Sequence, residues 1–161
     1  MTRQTPADDG GRTAELWMRA DVPGGGGDRQ ERLRERTTSV DAFADVRTRM
    51  VPDRLSLSGV AADSPGGSAL RETVMDAREW AVSTGVDLGP YLPISEECSI
   101  GFEEARRVLT FPTVTLVEYD AVDDVARVTP HVDDGRVVSV EARLDALEAS
   151  LDVPERVLAE S

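Results

Sequence analysis

Between Thr113 and Leu147 the chain alternates short apolar-rich runs with turn residues and then changes to a helical period, an order that few architectures accommodate. Thr113–Tyr119 has the alternation of a strand, Asp120–Asp124 reads as a turn, and Val125–Val132 is a second strand interrupted near Pro130. Asp133-Asp134-Gly135 carries the chemistry of a tight hairpin, and Arg136–Val140 follows as a third strand. Ser139 is placed to cap a closing helix with Leu144, Leu147 and Leu151 on one face, and Pro154 marks its end. A three-strand meander followed by a helix needs further layers to cover it. The expectation is an α+β fold with a mostly antiparallel sheet and two or three packed helices.

The upstream sequence supplies those elements. Ser68 to about Thr84 carries the strongest helical signal: Leu70, Val74, Ala77 and Ala81 share one face, Ser68 is a cap and Gly85 a stop. Thr13–Asp21 alternates as a strand, with Leu16, Met18 and Ala20 on one side and Glu15, Trp17 and Arg19 on the other. Pro23–Gly27 breaks it, and Asp28 with Glu31 reads as a capping box opening a short charged helix to about Thr37. Leu33 is the one apolar anchor of that helix, so it is expected to lie loosely on the surface. Val40–Met50 alternates as a half-buried strand, Pro52-Asp53 turns the chain, Arg54–Ser58 is a further short strand, and Ser64–Gly67 is a loop. Val86–Gly101 reads as irregular, and Glu103–Arg107 as a helical turn or the start of a strand. The resulting division is a disordered tail over 1–11, a single α+β domain over 12–151 and a C-terminal extension over 152–161.

Charge decides the setting. All 18 basic residues are arginine, lysine and asparagine are absent, and 31 acidic residues set the formal charge at −13. Because 40% of the residues are hydrophobic and recur periodically, this acidity does not signify disorder. At molar ionic strength the Debye length falls to about 3 Å, so acidic surfaces repel little while remaining hydrated. Lysine would add a long apolar stem to such a surface, whereas arginine keeps its charge on a planar, pairing group. A GC-rich genome also favours arginine codons, but codon bias alone does not produce this acidity. The composition therefore reads as adaptation to high salt. It is uneven: residues 1–54 carry 10 arginines and 10 acids, residues 55–161 carry 8 and 21.

Several chemistries find no support. Cys98 is the single cysteine, which excludes an intrachain disulfide and a thiolate metal cluster, and it lacks the cationic neighbours that activate a thiol. The longest apolar stretch, around Val114–Val117, falls far short of the ~20 residues that span a bilayer. Met1–Arg12 is polar and unlike a signal peptide, so the cytoplasm is the expected location and no membrane is involved. His131 is read as an exposed turn residue, with catalysis alongside Asp133 or Asp134 as the alternative. The pairs Glu96-Glu97, Glu103-Glu104, Asp123-Asp124 and Asp133-Asp134 read as loop decoration rather than cation ligands, since neighbours on a strand face opposite ways. Pro23–Gly27 lacks the Gly-Lys-Ser/Thr of a phosphate loop. No catalytic residue, cofactor or metal is expected.

The arginines remain. Arg29, Arg32 and Arg36 form a helical stripe with Arg34 beside them, and Arg47 and Arg49 share a strand face. These five, Arg29, Arg32, Arg36, Arg47 and Arg49, are the candidate contacts to a partner or nucleic acid; pairing within the helix is the competing account.

Certain segments resemble a known family. They are the run Arg12–Arg19, the glycine-rich loop into Asp28-Arg29-Gln30-Glu31, and Arg78-Glu79-Trp80-Ala81 with Gly85-Val86. Pro130-His131, the Asp-Asp-Gly turn and Leu144-Asp145-Ala146-Leu147 fit as well. Together they resemble small acidic proteins of halophilic archaea, sometimes labelled helix-turn-helix domain proteins, over about 12 to 150. These motifs are structural rather than catalytic. The sequence departs from the label in its strand signals around the first helix and in lacking a short two-helix unit with a recognition helix. The expected function is a non-enzymatic cytoplasmic regulatory or adaptor protein linked to transcription. A protein partner or homo-oligomer is favoured over nucleic acid, because counterion release fades as salt rises. The alternative is a small-molecule-binding domain or small enzyme whose pocket lies against the sheet, lined by Trp80, Tyr91 and Phe111, residues that core packing would also explain.

Overall fold

A computed structural model describes residues 12–20, 22, 26–57, 65–97 and 106–149. The expected tail over 1–11 and extension over 152–161 lie outside the described residues, as do Cys98, Glu103, Glu104 and Leu151. The elements run β1 (Thr13–Arg19), α1 (Gly26–Ser39), β2 (Asp45–Val51), β3 (Arg54–Ser56), α2 (Pro65–Thr84), β4 (Ile94–Glu97) and β5 (Arg106–Thr110). Then come β6 (Val114–Tyr119), β7 (Val125–Thr129), β8 (His131–Asp133), β9 (Arg136–Val138) and α3 over 140–149.

The architecture is the expected α+β, mostly antiparallel, with the C-terminal meander closed by a helix. A four-stranded sheet in the order β2-β1-β6-β7 forms its centre. β6 runs antiparallel to both β1 and β7, while β1 and β2 are parallel, joined through α1 as a β-α-β unit. The sequence carries the strand–helix–strand order over 13–50, but the half-buried alternation of β2 is the pattern of an antiparallel strand and masks the parallel pairing. A second sheet, β3-β5-β4, and the β8-β9 ribbon complete the strands.

Alternation along β1 and β6 supplies two cores, one on each face of the central sheet. Ala14, Leu16, Met18, Val114 and Leu116 meet Leu33 of α1 and Val140, Leu144 and Leu147 of α3. On the opposite face Trp17, Val117 and Val128 meet Leu70, Val74, Ala77 and Ala81 of α2, together with Leu55, Leu109 and Phe111 from the small-sheet layer. Trp17 and Phe111 stack edge to face at 5.7 Å and 84°. The positions expected to anchor α2 are all buried.

Local chemistry fixes the ends of the elements. Gly85, at φ 80°, ends α2 in the left-handed conformation that glycine adopts without penalty. Asp134 and Gly135 both have positive φ, 53° and 77°, as a two-residue hairpin with the twist of β8 and β9 requires. The Ser139 hydroxyl accepts the Ala142 amide at 3.1 Å, capping α3 as expected.

Several local expectations need correction. α2 begins at Pro65, so Ser68 lies inside the helix instead of capping it, and 65–67 are helical rather than loop. α1 begins at Gly26, so Asp28 sits inside the first turn, where its charge favours the helix dipole, and Glu31 pairs with Arg34 instead of closing a capping box. Nor is α1 loosely held: Leu33 and Thr37 are buried, and Gln30 Nε2 donates to the Arg19 and Thr113 carbonyls at 3.0 Å each. Residues 40–44 form a turn rather than strand, with Val40 and Phe43 both buried, because the Ala44 amide bonds to the Arg12 carbonyl and brings the chain back alongside β1. The segment after α2 is not wholly irregular; Asp87 bridges to Val132, and β4 pairs with β5.

Candidate functional site

The α1 stripe faces another helix. Arg29 donates from Nε and Nη2 to both oxygens of Glu141 on α3, at 2.7 and 2.9 Å. One turn pair further on, Arg36 Nη2 reaches Asp145 at 2.7 Å and Glu148 at 3.0 Å. The hydrogen bond from Arg29 holds the Glu141 carboxyl below its ordinary range, and Glu148 followed by Asp145 raises Arg36 above its own. Arg32, between them, is exposed and without a partner among the described residues. The stripe therefore pairs between helices rather than within α1, and Arg34 with Glu31 is the intrahelical exception.

The strand arginines are elsewhere. Arg49 lies 3.5 Å from Glu15, which also accepts the Trp17 indole N–H at 2.6 Å. Arg47 sits 3.5 Å from Asp45 with 78% of its side chain exposed. In the β1–β2 register Arg47 and Arg49 stand opposite Glu15 and Trp17, on the α2 side of the sheet, whereas α1 packs on the other side. The five candidate arginines therefore do not converge on one surface.

A different charged cluster does converge. Glu118 completes the alternation Val114, Leu116, Glu118 on the α1/α3 side of β6, and its side chain is fully buried. Arg143 of α3, 14% exposed, donates to Glu118 from Nε at 2.8 Å and from Nη2 at 2.9 Å. Arg12, just ahead of β1, adds Nη2 at 2.9 Å. Arg127 stands directly opposite Glu118 in the β6–β7 register. Its tendency to hold a proton is lowered by burial first and by Arg143 next, with Glu118 opposing. Sequence reading missed this cluster by treating carboxylates as surface groups. The available signal was a lone glutamate at a core-facing position of the most apolar strand.

The remaining candidates are dispersed. His131 is not an exposed turn residue: it is buried, its Nδ1 donates to the Val128 carbonyl at 2.6 Å, and its ring meets Trp80 at 5.7 Å and 70°. The β8 strand that follows Pro130 turns it inward, where the backbone carbonyl satisfies it. Phe111 is core and Tyr91 half-buried; Trp80 borders an open cleft of about 330 Å³ with Asp76, Glu79 and Asp124, so the three aromatics do not line one pocket. A second cleft of about 280 Å³ lies beside Glu15, Asp45, Arg47 and Tyr119, whose phenol burial pushes up to about 12. Among the described residues no three His, Cys, Asp or Glu side chains are grouped to hold a metal. No described helix is long and apolar enough to cross a membrane.

Residues 6–152 match the family described as helix-turn-helix domain. Comparisons with curated proteins and with solved structures return no match. Among the described residues no two helices follow each other across a short turn, since β2 and β3 separate α1 from α2, and β4 to β9 separate α2 from α3.

Proposed function

We propose that this chain, which belongs to the helix-turn-helix domain family, is a non-enzymatic regulatory or adaptor protein linked to transcription, working in a salt-rich cytoplasm. Its acidity and lack of lysine support the setting. The observation that carries the mode of action is the pairing of Arg29 and Arg36 with α3. Cations already paired within the protein are poorly placed to neutralise DNA phosphates, and at molar salt counterion release contributes little. Regulation then runs through a protein partner or a second copy of the chain, with any DNA contact secondary.

The test compares wild type with an Arg32→Ala/Arg47→Ala variant, which leaves the α1–α3 pairs intact. DNA binding and sedimentation are measured in molar KCl. The expected outcome is no sequence-selective DNA binding by either protein, together with self-association or a stoichiometric protein complex. Sequence-selective binding by wild type that the variant loses would reverse the reading. The small-molecule alternative has one observation in its favour, the arginine cluster around Glu118.

A further inference from the structure

We propose that Arg12, Arg127 and Arg143, gathered around the buried Glu118, form a binding site for a doubly charged phosphate group, either free or carried by a small molecule. Two guanidinium groups, those of Arg143 and Arg12, hold one carboxylate there, and a third, Arg127, stands opposite it in the β6–β7 register, so three cations meet one anion in a chain of net −13. Holding Glu118 in place does not require three. Arg143 alone engages both oxygens in the bidentate geometry that satisfies a carboxylate. Arg12 contributes one nitrogen and is 40% exposed, so its other donors are not spent on Glu118. The side chain of Arg127, half-buried on the edge strand β7, makes no hydrogen bond or ion pair among the described residues.

Surplus like charge at a partly buried position is unfavourable unless something neutralises it. Burial first, and then the like charge of Arg143, lower the proton affinity of Arg127, with Glu118 opposing. Asp133 is the other acid acting on Arg127; it weighs least of the named charges and is exposed. A phosphate monoester carries about −1.5 to −2 at neutral pH on three acceptor oxygens, which matches the uncompensated charge. A single carboxylate would leave half of it. The planar forks of Arg12 and Arg127 also suit a tetrahedral oxyanion better than a chloride ion, so binding can persist in chloride brine. This inference stands independently of the regulatory reading: the site can exist whether or not the chain acts in transcription.

The experiment is calorimetric titration of the full chain in KCl at neutral pH with inorganic phosphate and, in a second arm, with glucose 6-phosphate. Wild type, Arg127→Gln, Arg127→Lys and the distant control Arg32→Gln are compared, and circular dichroism verifies folding of each. The expected result is saturable one-to-one binding by wild type, weakened at least tenfold in Arg127→Gln, partly retained in Arg127→Lys and unchanged in Arg32→Gln. Tighter binding of the sugar phosphate assigns the group to a small molecule, tighter binding of the inorganic ion to free phosphate, and either supports the site. A rise in thermal midpoint with phosphate, seen in wild type and absent in Arg127→Gln, is the second readout. No saturable binding of either probe by wild type, or an equal loss in Arg32→Gln, overturns the proposal.

Discussion

The two faces of the central sheet are held in different ways. On the α2 side the contacts are almost entirely apolar, from the Trp17–Phe111 pair to the buried stripe Leu70, Val74, Ala77 and Ala81. On the α1/α3 side a smaller apolar patch is supplemented by charge, with Arg29 and Arg36 bound to α3 and Glu118 held by Arg143 and Arg12. Apolar burial is indifferent to pH and gains from strong salt, whereas ion pairs respond to both. One face is thus a fixed scaffold, and the other a seam that solution conditions can loosen.

The largest test acts on the scaffold. Trp17→Ala removes a fully buried ring and is expected to lower the unfolding free energy by about 3–5 kcal/mol, measured by denaturant titration. The loss should be at least as large in concentrated as in dilute KCl. A loss under about 1 kcal/mol would mean that this face is not held by packing.

Glu118→Gln tests the buried end of the seam. It leaves Arg143 and Arg12 without their carboxylate and is expected to cost about 3 kcal/mol. If the variant is as stable as wild type, Glu118 does not organise the cluster.

Acid should separate the two faces more gently. The Glu141 carboxyl is held below its ordinary value by Arg29, so its contribution is present above the unfolded-state value and is lost as pH falls through the folded one. Hydrogen exchange, corrected for intrinsic rates, is expected to show α3 amides losing protection as pH is lowered below the ordinary glutamate value of 4.5, ahead of those of α2. Simultaneous loss in both helices would remove the distinction between the faces.

How much of this was legible follows the same division. The α2 stripe, β1, β6 and the Asp134-Gly135 hairpin were readable because each is written in consecutive residues, as a period or as turn chemistry. The α1–α3 pairing was not, since Arg29 and Glu141 lie 112 residues apart and only the fold makes them neighbours. His131 was misplaced because its apparent turn context hid a strand that turns the ring inward to the Val128 carbonyl. Glu118 was overlooked because composition suggested that every acid belongs to the surface, and the strand phase around Val114 and Leu116 argued otherwise.

Whether α1's arginines serve the seam is measured most directly by a double-mutant cycle on Arg29→Ala and Glu141→Ala in denaturant unfolding. With both side chains more than a third exposed, the coupling is expected to be about 0.5–1 kcal/mol at moderate salt, shrinking as salt rises. Additive effects of the two substitutions, with no coupling at any salt concentration, would contradict the account and return Arg29 to the pool of arginines open to a partner.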